Sequence, residues 1–215
     1  MVRYLMKSKT RKTRRTRRSD TKKRILEKAT DLFSEVGFVK ASIRDIVKAV
    51  GVTNSTVYIH FKNKDEILYS IIEDIGSTLL RELHAVSERN DDPVQCLREM
   101  IFRQVCLIKD KRKQIKIYLD EQNQLPSPLR NMALKQHRAI YEVYHKKITE
   151  LVLNGLVRNK IDEAVMTFSV FAMINWAYRW FRENERLSIE EIAEDIIRIF
   201  FGGIFKKGVL PSEDQ

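Results

Sequence analysis

Thr53 to His60 reads TNSTVYIH, and Asn54, Ser55, Thr56, Tyr58 and His60 carry hydrogen-bonding side chains with no Lys, Arg, Asp or Glu among them. Carboxamide, hydroxyl, phenol and imidazole groups can donate to and accept from base edges and phosphate oxygens. Asn54 suits a bidentate contact with adenine, and Thr56 suits a phosphate or a thymine methyl. Charge comes from elsewhere. Residues 1–19 hold nine basic residues and no acid, whereas the remaining chain has 31 Lys and Arg against 29 Asp and Glu. Most of the net charge of +11 is therefore a property of the N-terminal arm. Such an arm implies a polyanion, nucleic acid being the commonest. Arg14, Arg15, Arg17 and Arg18 can follow a phosphate backbone or enter a minor groove. The same composition also suits a disordered solubilising tail or contact with an anionic membrane surface.

Catalytic chemistry finds little support. The chain contains no phosphate loop, no G-x-S-x-G and no H-E-x-x-H. Its histidines, His60, His84, His137 and His145, are scattered. His137 and His145 are two turns apart on one helix with Glu142 nearby, which is compatible with a metal site, although a solvated helix face is the plainer reading. Cys96 and Cys106 form no metal or redox motif, and ten residues of helix would separate them by about 15 Å, too far for a disulfide. They read as structural thiols of a reducing cytoplasm. Neither an enzyme nor a bound cofactor is expected. The N-terminus has no apolar signal core, and no run of about 18 apolar residues occurs, so neither export nor a membrane span is expected.

The elements that must position the reading residues are short. Ser42 is a good N-cap, with Asp45 three residues on in a capping-box arrangement. Ile43, Ile46 and Val50 form an apolar stripe at helical spacing. Gly51 falls where the backbone must turn in a left-handed conformation, and Thr53 is placed to cap the next helix. Two short helices around such a turn make a helix-turn-helix, whose second helix can enter the major groove. The same outline also occurs in helical proteins of other kinds. Ahead of it, Thr21 to Val36 is amphipathic, with Ile25, Ala29, Leu32, Phe33 and Val36 on one face and Gly37 at its end. After it, Asn63 caps a helix over about 65–87, with Glu66 three residues on.

With 7 Gly, 4 Pro and apolar residues at three-to-four spacing throughout, the fold class is all-α with about nine helices. Pro93 opens a helix over Val94 to Lys109, and a charged turn at Lys109 to Lys113 separates it from a further helix over Gln114 to Gln122. Leu125 to Pro128 is a break. Leu129 to Leu156, the aromatic-rich Ile161 to Phe181, and a last helix opened by Ser188 and Glu191 follow. The last two helices are apolar over more than one face, as a partner subunit would require, although a monomer with a buried hairpin also fits. The chain divides into a disordered basic arm at 1–19, a three-helix DNA-binding domain at 20–64, and an effector-binding and dimerisation domain at 65–210.

From Ile25 to Leu68 the chain resembles the N-terminal domain of TetR-family transcriptional regulators. The resemblance is carried by Ala29, Leu32, Phe33, Gly37, Phe38, Ser42, Ile43, Ile46, Gly51, Val52, Thr56, Tyr58, Phe61, Lys64, Ile67 and Leu68. Val47 and Val50 depart from the usual alanines, and Ser55 from a common glycine. The resemblance implies a homodimer through the last two helices, reading a palindromic operator on double-stranded DNA, with repression as the default. It also implies phosphate contacts for Tyr58 and Lys64. Ser42, Arg44, Thr53, Ser55 and His60 complete the expected interface. The run from Asn175 to Phe181, LDEQNQLP, and the pair Arg138 and Tyr141 resemble a subgroup that responds to acyl-CoA esters. The implied effector is a hydrophobic acyl-CoA, with Arg103, Gln122, Arg138, Tyr141, Asn175, Trp176 and Arg179 as candidate contacts. Trp176 and Trp180 also suit core or dimer packing, and each arginine also suits a solvated or paired position. A non-specific DNA-coating protein and a regulator responding to drugs or xenobiotics are the competing readings.

Overall fold

The structure, a computed structural model, describes residues 2–158, 161–183 and 185–204, with side chains from residue 18 onward. The described chain is all-α. Its helices are α1 (Val2–Val36), α2 (Ile43–Val50), α3 (Asn54–His60), α4 (Lys64–Arg89), α5 (Pro93–Asp120), α6 (Ser127–Leu153), α7 (Glu163–Trp180) and α8 (Ile189–Ile204), with a 3-10 turn at Gln122–Gln124.

The local signals act as the sequence predicts. Ser42 and Asp45 form a reciprocal capping box, with Asp45 N donating to Ser42 Oγ at 3.2 Å and Ser42 N to Asp45 Oδ2 at 2.9 Å. Gly51 closes α2 with φ 72°, and Gly37 ends α1 with φ 83°. Thr53 caps α3, Asn63 caps α4, and Pro93 occupies the first turn of α5. Ser188 and Glu191 make a second capping box.

Two boundaries differ. The basic arm was expected to be disordered over 1–19, but α1 runs from Val2. Those residues hold no Gly or Pro and are rich in Lys and Arg, which are good helix formers. The charged turn at Lys109 to Lys113 is a kink rather than a break. α5 continues through it with Lys111 at φ −121° and ψ 19°, and two expected helices become one. Nothing in KDKRK forbids a helix, which leaves eight α-helices among the described residues where about nine were expected. The expected end of the second domain, 205–210, lies outside the described residues.

The core is continuous from one end to the other. Ile25, Ala29 and Phe33 of α1 meet Phe38, Ala41, Ile46, Val50, Val57 and Phe61, and Ile67 and Leu68 carry the cluster into α4. α5 packs against α4, α6, α7 and α8 as the central helix of the larger bundle, and it also touches α1. The α8 residues Ile192, Ile196, Ile197, Phe200 and Phe201 are buried within the protomer. Sequence patterning left their cover open between a partner subunit and a buried hairpin. The packing covers them internally, while Ile199 of the same helix is exposed. The uncovered apolar stripe lies on α7, where Val165, Phe168, Trp176 and Trp180 are exposed. No helix among the described residues is long and apolar enough to cross a membrane.

Gly51→Ala forces a Cβ into a left-handed backbone and is expected to lower stability by about 1–2 kcal/mol. Urea unfolding of the two proteins measures this, and an unchanged midpoint would mean that the turn adopts another shape at no cost.

Candidate functional site

α3 lies on the outside of the small domain, anchored by Val57, which is fully buried, and by Phe61 just beyond its end. The remaining side chains fan outward. Asn54, Ser55, Tyr58 and Ile59 are exposed, and Thr56 and His60 are half-buried. Thr53 Oγ1 accepts from Thr56 N at 3.2 Å, lies 2.8 Å from Ser55 Oγ and 2.9 Å from Thr56 Oγ1. The three hydroxyls are therefore tied into the cap. Asn54 and the Tyr58 hydroxyl have no hydrogen-bond partner among the described residues, which leaves their full capacity to a ligand surface. Ser42 and Arg44 are exposed at the start of α2, on the same small domain. Ile59 was not singled out from the sequence. At 60% exposed, it presents an apolar surface suited to a thymine methyl.

The basic residues divide between surface and scaffold. Arg18 Nη2 donates to Ile59 O at 3.3 Å, which places a cation at the C-terminal end of α3. The side chain of Arg17 lies outside the described residues. Arg24 Nη2 caps α2 through Val50 O at 2.7 Å. His60 is held below its ordinary pKa by burial first, then by Arg18 and Lys22.

Lys64 Nζ donates to Phe38 O and Ala41 O, both at 2.8 Å, and lies 4.2 Å from the centre of the Phe38 ring. With Val39 O at 3.5 Å as a third, longer partner, the ammonium is turned onto the carbonyls of the loop after α1. The side chain staples the start of α4 to that loop.

The second site is a cavity of about 590 Å³ between α4, α5, α6 and α7. Its walls are mainly apolar, with Leu79, Ile108, Ile115, Leu119, Ile140 and Ile174 among them, joined by Phe168 and Phe171. The size and lining suit a hydrophobic small molecule. Three expected contacts line it: Arg138, Tyr141 and Asn175. Tyr141 lies 5.2 Å from the Phe168 ring and 5.3 Å from the His145 ring. Trp176 and Arg179 fall instead in an adjoining open recess between the ends of α5 and α7. Arg103 lines a separate cavity of about 530 Å³ between α4 and α5. Gln122 sits in the 3-10 turn with a buried, unpartnered Oε1 and lines none of these three.

All three arginines have carboxylate partners. Arg103 lies 2.6 Å from Glu99 and 3.8 Å from Glu82, Arg138 3.5 Å from Glu142, and Arg179 2.9 Å from Asp120. The two histidines once weighed as a metal pair turn to different neighbours. His137 stacks on Tyr118 at 4.1 Å, while His145 Nδ1 meets Thr167 Oγ1 at 3.3 Å. His137 also lines the main cavity. Burial lowers its pKa to about 4, so it is neutral at physiological pH.

The two sites are joined by α5 beyond its kink. Ile115, Tyr118 and Leu119 wall the main cavity. On the same stretch, Lys113 Nζ bonds Asp31 at 2.7 Å, Lys116 Nζ bonds Ser34 O at 2.5 Å, and Glu121 Oε1 accepts from Phe38 N at 3.2 Å. Arg112 Nε donates to Tyr178 O at 2.8 Å, and Asp120 accepts from Tyr178 Oη at 2.6 Å, so the segment is also bound to the end of α7. None of these bridging residues was legible from the sequence. Their partners lie tens of residues away, and periodicity reports only which face is apolar.

Two family models match the chain. "Bacterial regulatory proteins, tetR family" covers residues 25–71, and "Tetracyclin repressor-like, C-terminal domain" covers residues 90–204. The chain belongs to the TetR family of bacterial transcriptional regulators, DNA-binding proteins of the helix-turn-helix class. Among its relatives is the HTH-type transcriptional repressor KstR2 of Mycobacterium tuberculosis, 25% identical over 191 residues, spanning 86% of this chain and 93% of the relative. The solved structure of that ketosteroid regulator superposes with a TM-score of 0.80 at 21% identity, covering 89% of this chain and 96% of its own. AibR, solved in complex with isovaleryl coenzyme A and operator DNA, superposes with a TM-score of 0.79 at 24% identity, covering 85% of this chain and 99% of its own.

Lys64→Met is expected to destabilise the protein by about 1.5–3 kcal/mol, as loss of charged hydrogen bonds does. The salt dependence of operator binding should keep its slope. A stable variant whose slope falls by about one would put the ammonium on a phosphate instead.

Proposed function

We propose that this protein is a homodimeric repressor that leaves a palindromic operator when a hydrophobic acyl-CoA enters the main cavity. One observation carries this reading. The α5 segment that walls the cavity also grips the loop and helix behind the DNA-reading pair. A ligand that displaces Tyr118 or Leu119 acts on the same backbone that holds Asp31, Ser34 and Phe38 through Lys113, Lys116 and Glu121. Energetic coupling between two sites needs a shared element of this kind.

The exposed α7 stripe of Val165, Phe168, Trp176 and Trp180 supports the dimer, because aromatic residues at this exposure need a cover. Two copies related by a two-fold axis bring two α3 helices to successive major grooves about 34 Å apart. Asn54 reads bases, Tyr58 and Ser55 contact the backbone or base edges, and Ser42 and Arg44 contact phosphate from α2. Arg18 and the arm before it add sequence-independent affinity. The acyl-CoA class is supported by the apolar cavity and by the ligand named in the AibR structure. The protein acts in the cytoplasm, where operator DNA lies.

Fluorescence anisotropy on a labelled operator tests the scheme. Saturating octanoyl-CoA should weaken binding by about 5- to 150-fold, the usual range of allosteric coupling. Unchanged affinity with bound ligand would remove acyl-CoA as the effector. Asn54→Ala should change base preference in a binding-site selection, and retention of the wild-type preference would take Asn54 out of the reading set. Removing residues 1–18 should flatten the salt dependence of binding, whereas an unchanged slope would mean that the arm stays off the DNA. Glu121→Ala should leave ligand affinity intact while reducing ligand-induced release, and full release would exclude the Phe38 contact from the coupling path.

A further inference from the structure

Gln104 lies in the middle of α5 and is only 8% exposed. With Leu79 it lines both the main cavity and the α4–α5 cavity, so these two residues form their shared wall. Its Oε1 accepts from Tyr144 Oη at 2.9 Å, and Tyr144 is fully buried. The carboxamide is thereby fixed in one orientation. Its Nε2 carries two N–H donors, and neither has a partner among the described residues. A ligand that fills the cavity strips water from this donor unless it brings an acceptor of its own.

The chemistry on either side of the wall limits what that acceptor is. The main cavity offers Ile108, Ile140, Phe171 and Ile174, a surface for hydrocarbon. The α4–α5 cavity brings Glu82, Glu99 and Asp110 around Arg103, whose guanidinium is already paired with the two glutamates. This acidic surround disfavours an anion at the wall itself. A neutral oxygen acceptor attached to a hydrocarbon fits both sides. A thioester carbonyl is such a group.

We propose that Gln104 is the specificity-determining residue of the cavity. Its side-chain N–H donates to the thioester carbonyl oxygen of the effector, the acyl chain fills the main cavity, and Tyr144 positions the carboxamide. This assignment rests on the acyl-CoA reading above and adds the group that is recognised.

Calorimetric titration with octanoyl-CoA and with S-octyl-CoA, the thioether lacking the carbonyl, tests it. Wild type should prefer the thioester by about 3- to 10-fold, the worth of one neutral hydrogen bond. Gln104→Leu should bind both probes equally. Because that change strands the buried Tyr144 hydroxyl, the Gln104→Leu/Tyr144→Phe double variant, which removes both partners at nearly constant shape, provides a folded reference that should also bind both equally. Tyr144→Phe alone should show an intermediate preference. If octanoyl-CoA binds wild type and the thioester preference survives in the double variant, the carbonyl is read elsewhere and the Gln104 assignment falls while the acyl-CoA reading stands. If wild type binds both probes equally, the carbonyl is not read and the assignment falls alone. If neither probe binds wild type, both fall together.

Discussion

From Lys111 to Glu121 one stretch of helix bonds to most of the molecule at once. Tyr118 and Leu119 line the main cavity, Lys113, Lys116 and Glu121 hold the back of the small domain, and Arg112 and Asp120 hold the end of α7. The kink at Lys111 sets this stretch apart from the first part of α5, which is the axis of the larger bundle. Packed helices shift between discrete arrangements more readily than they deform, so a segment with this many fixed partners transmits displacement rather than absorbing it. α4 links the same domains through the core. Its first residue, Lys64, closes the loop from Phe38 to Ala41, and Glu121 grips that loop from the other side.

In the proposed scheme the DNA-reading unit separates specificity from affinity. α3 carries neutral donors and acceptors, of which Asn54 and Tyr58 are uncommitted within the described structure, while the cations lie at its margin or in the arm. Arg18 joins the two by sitting on the last turn of α3. Charge on the reading helix itself would strengthen contact with any sequence, because phosphate attraction is blind to bases. In the effector domain the candidate arginines Arg103, Arg138 and Arg179 are paired with carboxylates. The polar groups on the cavity wall include neutral His137 and the fixed carboxamide of Gln104.

What could be read from the sequence was local. Ser42, Gly51, Thr53, Asn63, Pro93 and Ser188 each act through residues two to four positions away, and each does in the structure what its type and spacing imply. The apolar stripe of α1 and the all-α class follow from the same periodicity. Long-range polar contacts were not readable. Nothing in the neighbourhood of Lys64 announces its bonds to carbonyls that are 23 and 26 residues earlier in the chain. Gln104 was missed because a lone glutamine on an apolar helix face gives no signal until Tyr144 and two cavities are placed around it. For the last two helices the pattern shows that a surface is apolar, not whether the protomer or a partner subunit covers it.

The central claim is that effector binding alters the separation of two α3 helices in a homodimer. Electron-spin distance measurement addresses it directly, using a label on Cys placed at exposed Lys48 of α2, with half-buried Cys106 changed to Ala. On operator DNA the inter-label distance should be narrow and consistent with reading helices about 34 Å apart. Saturating octanoyl-CoA should move the free dimer's distribution away from that spacing. A distribution that stays the same with the cavity filled would contradict the switch.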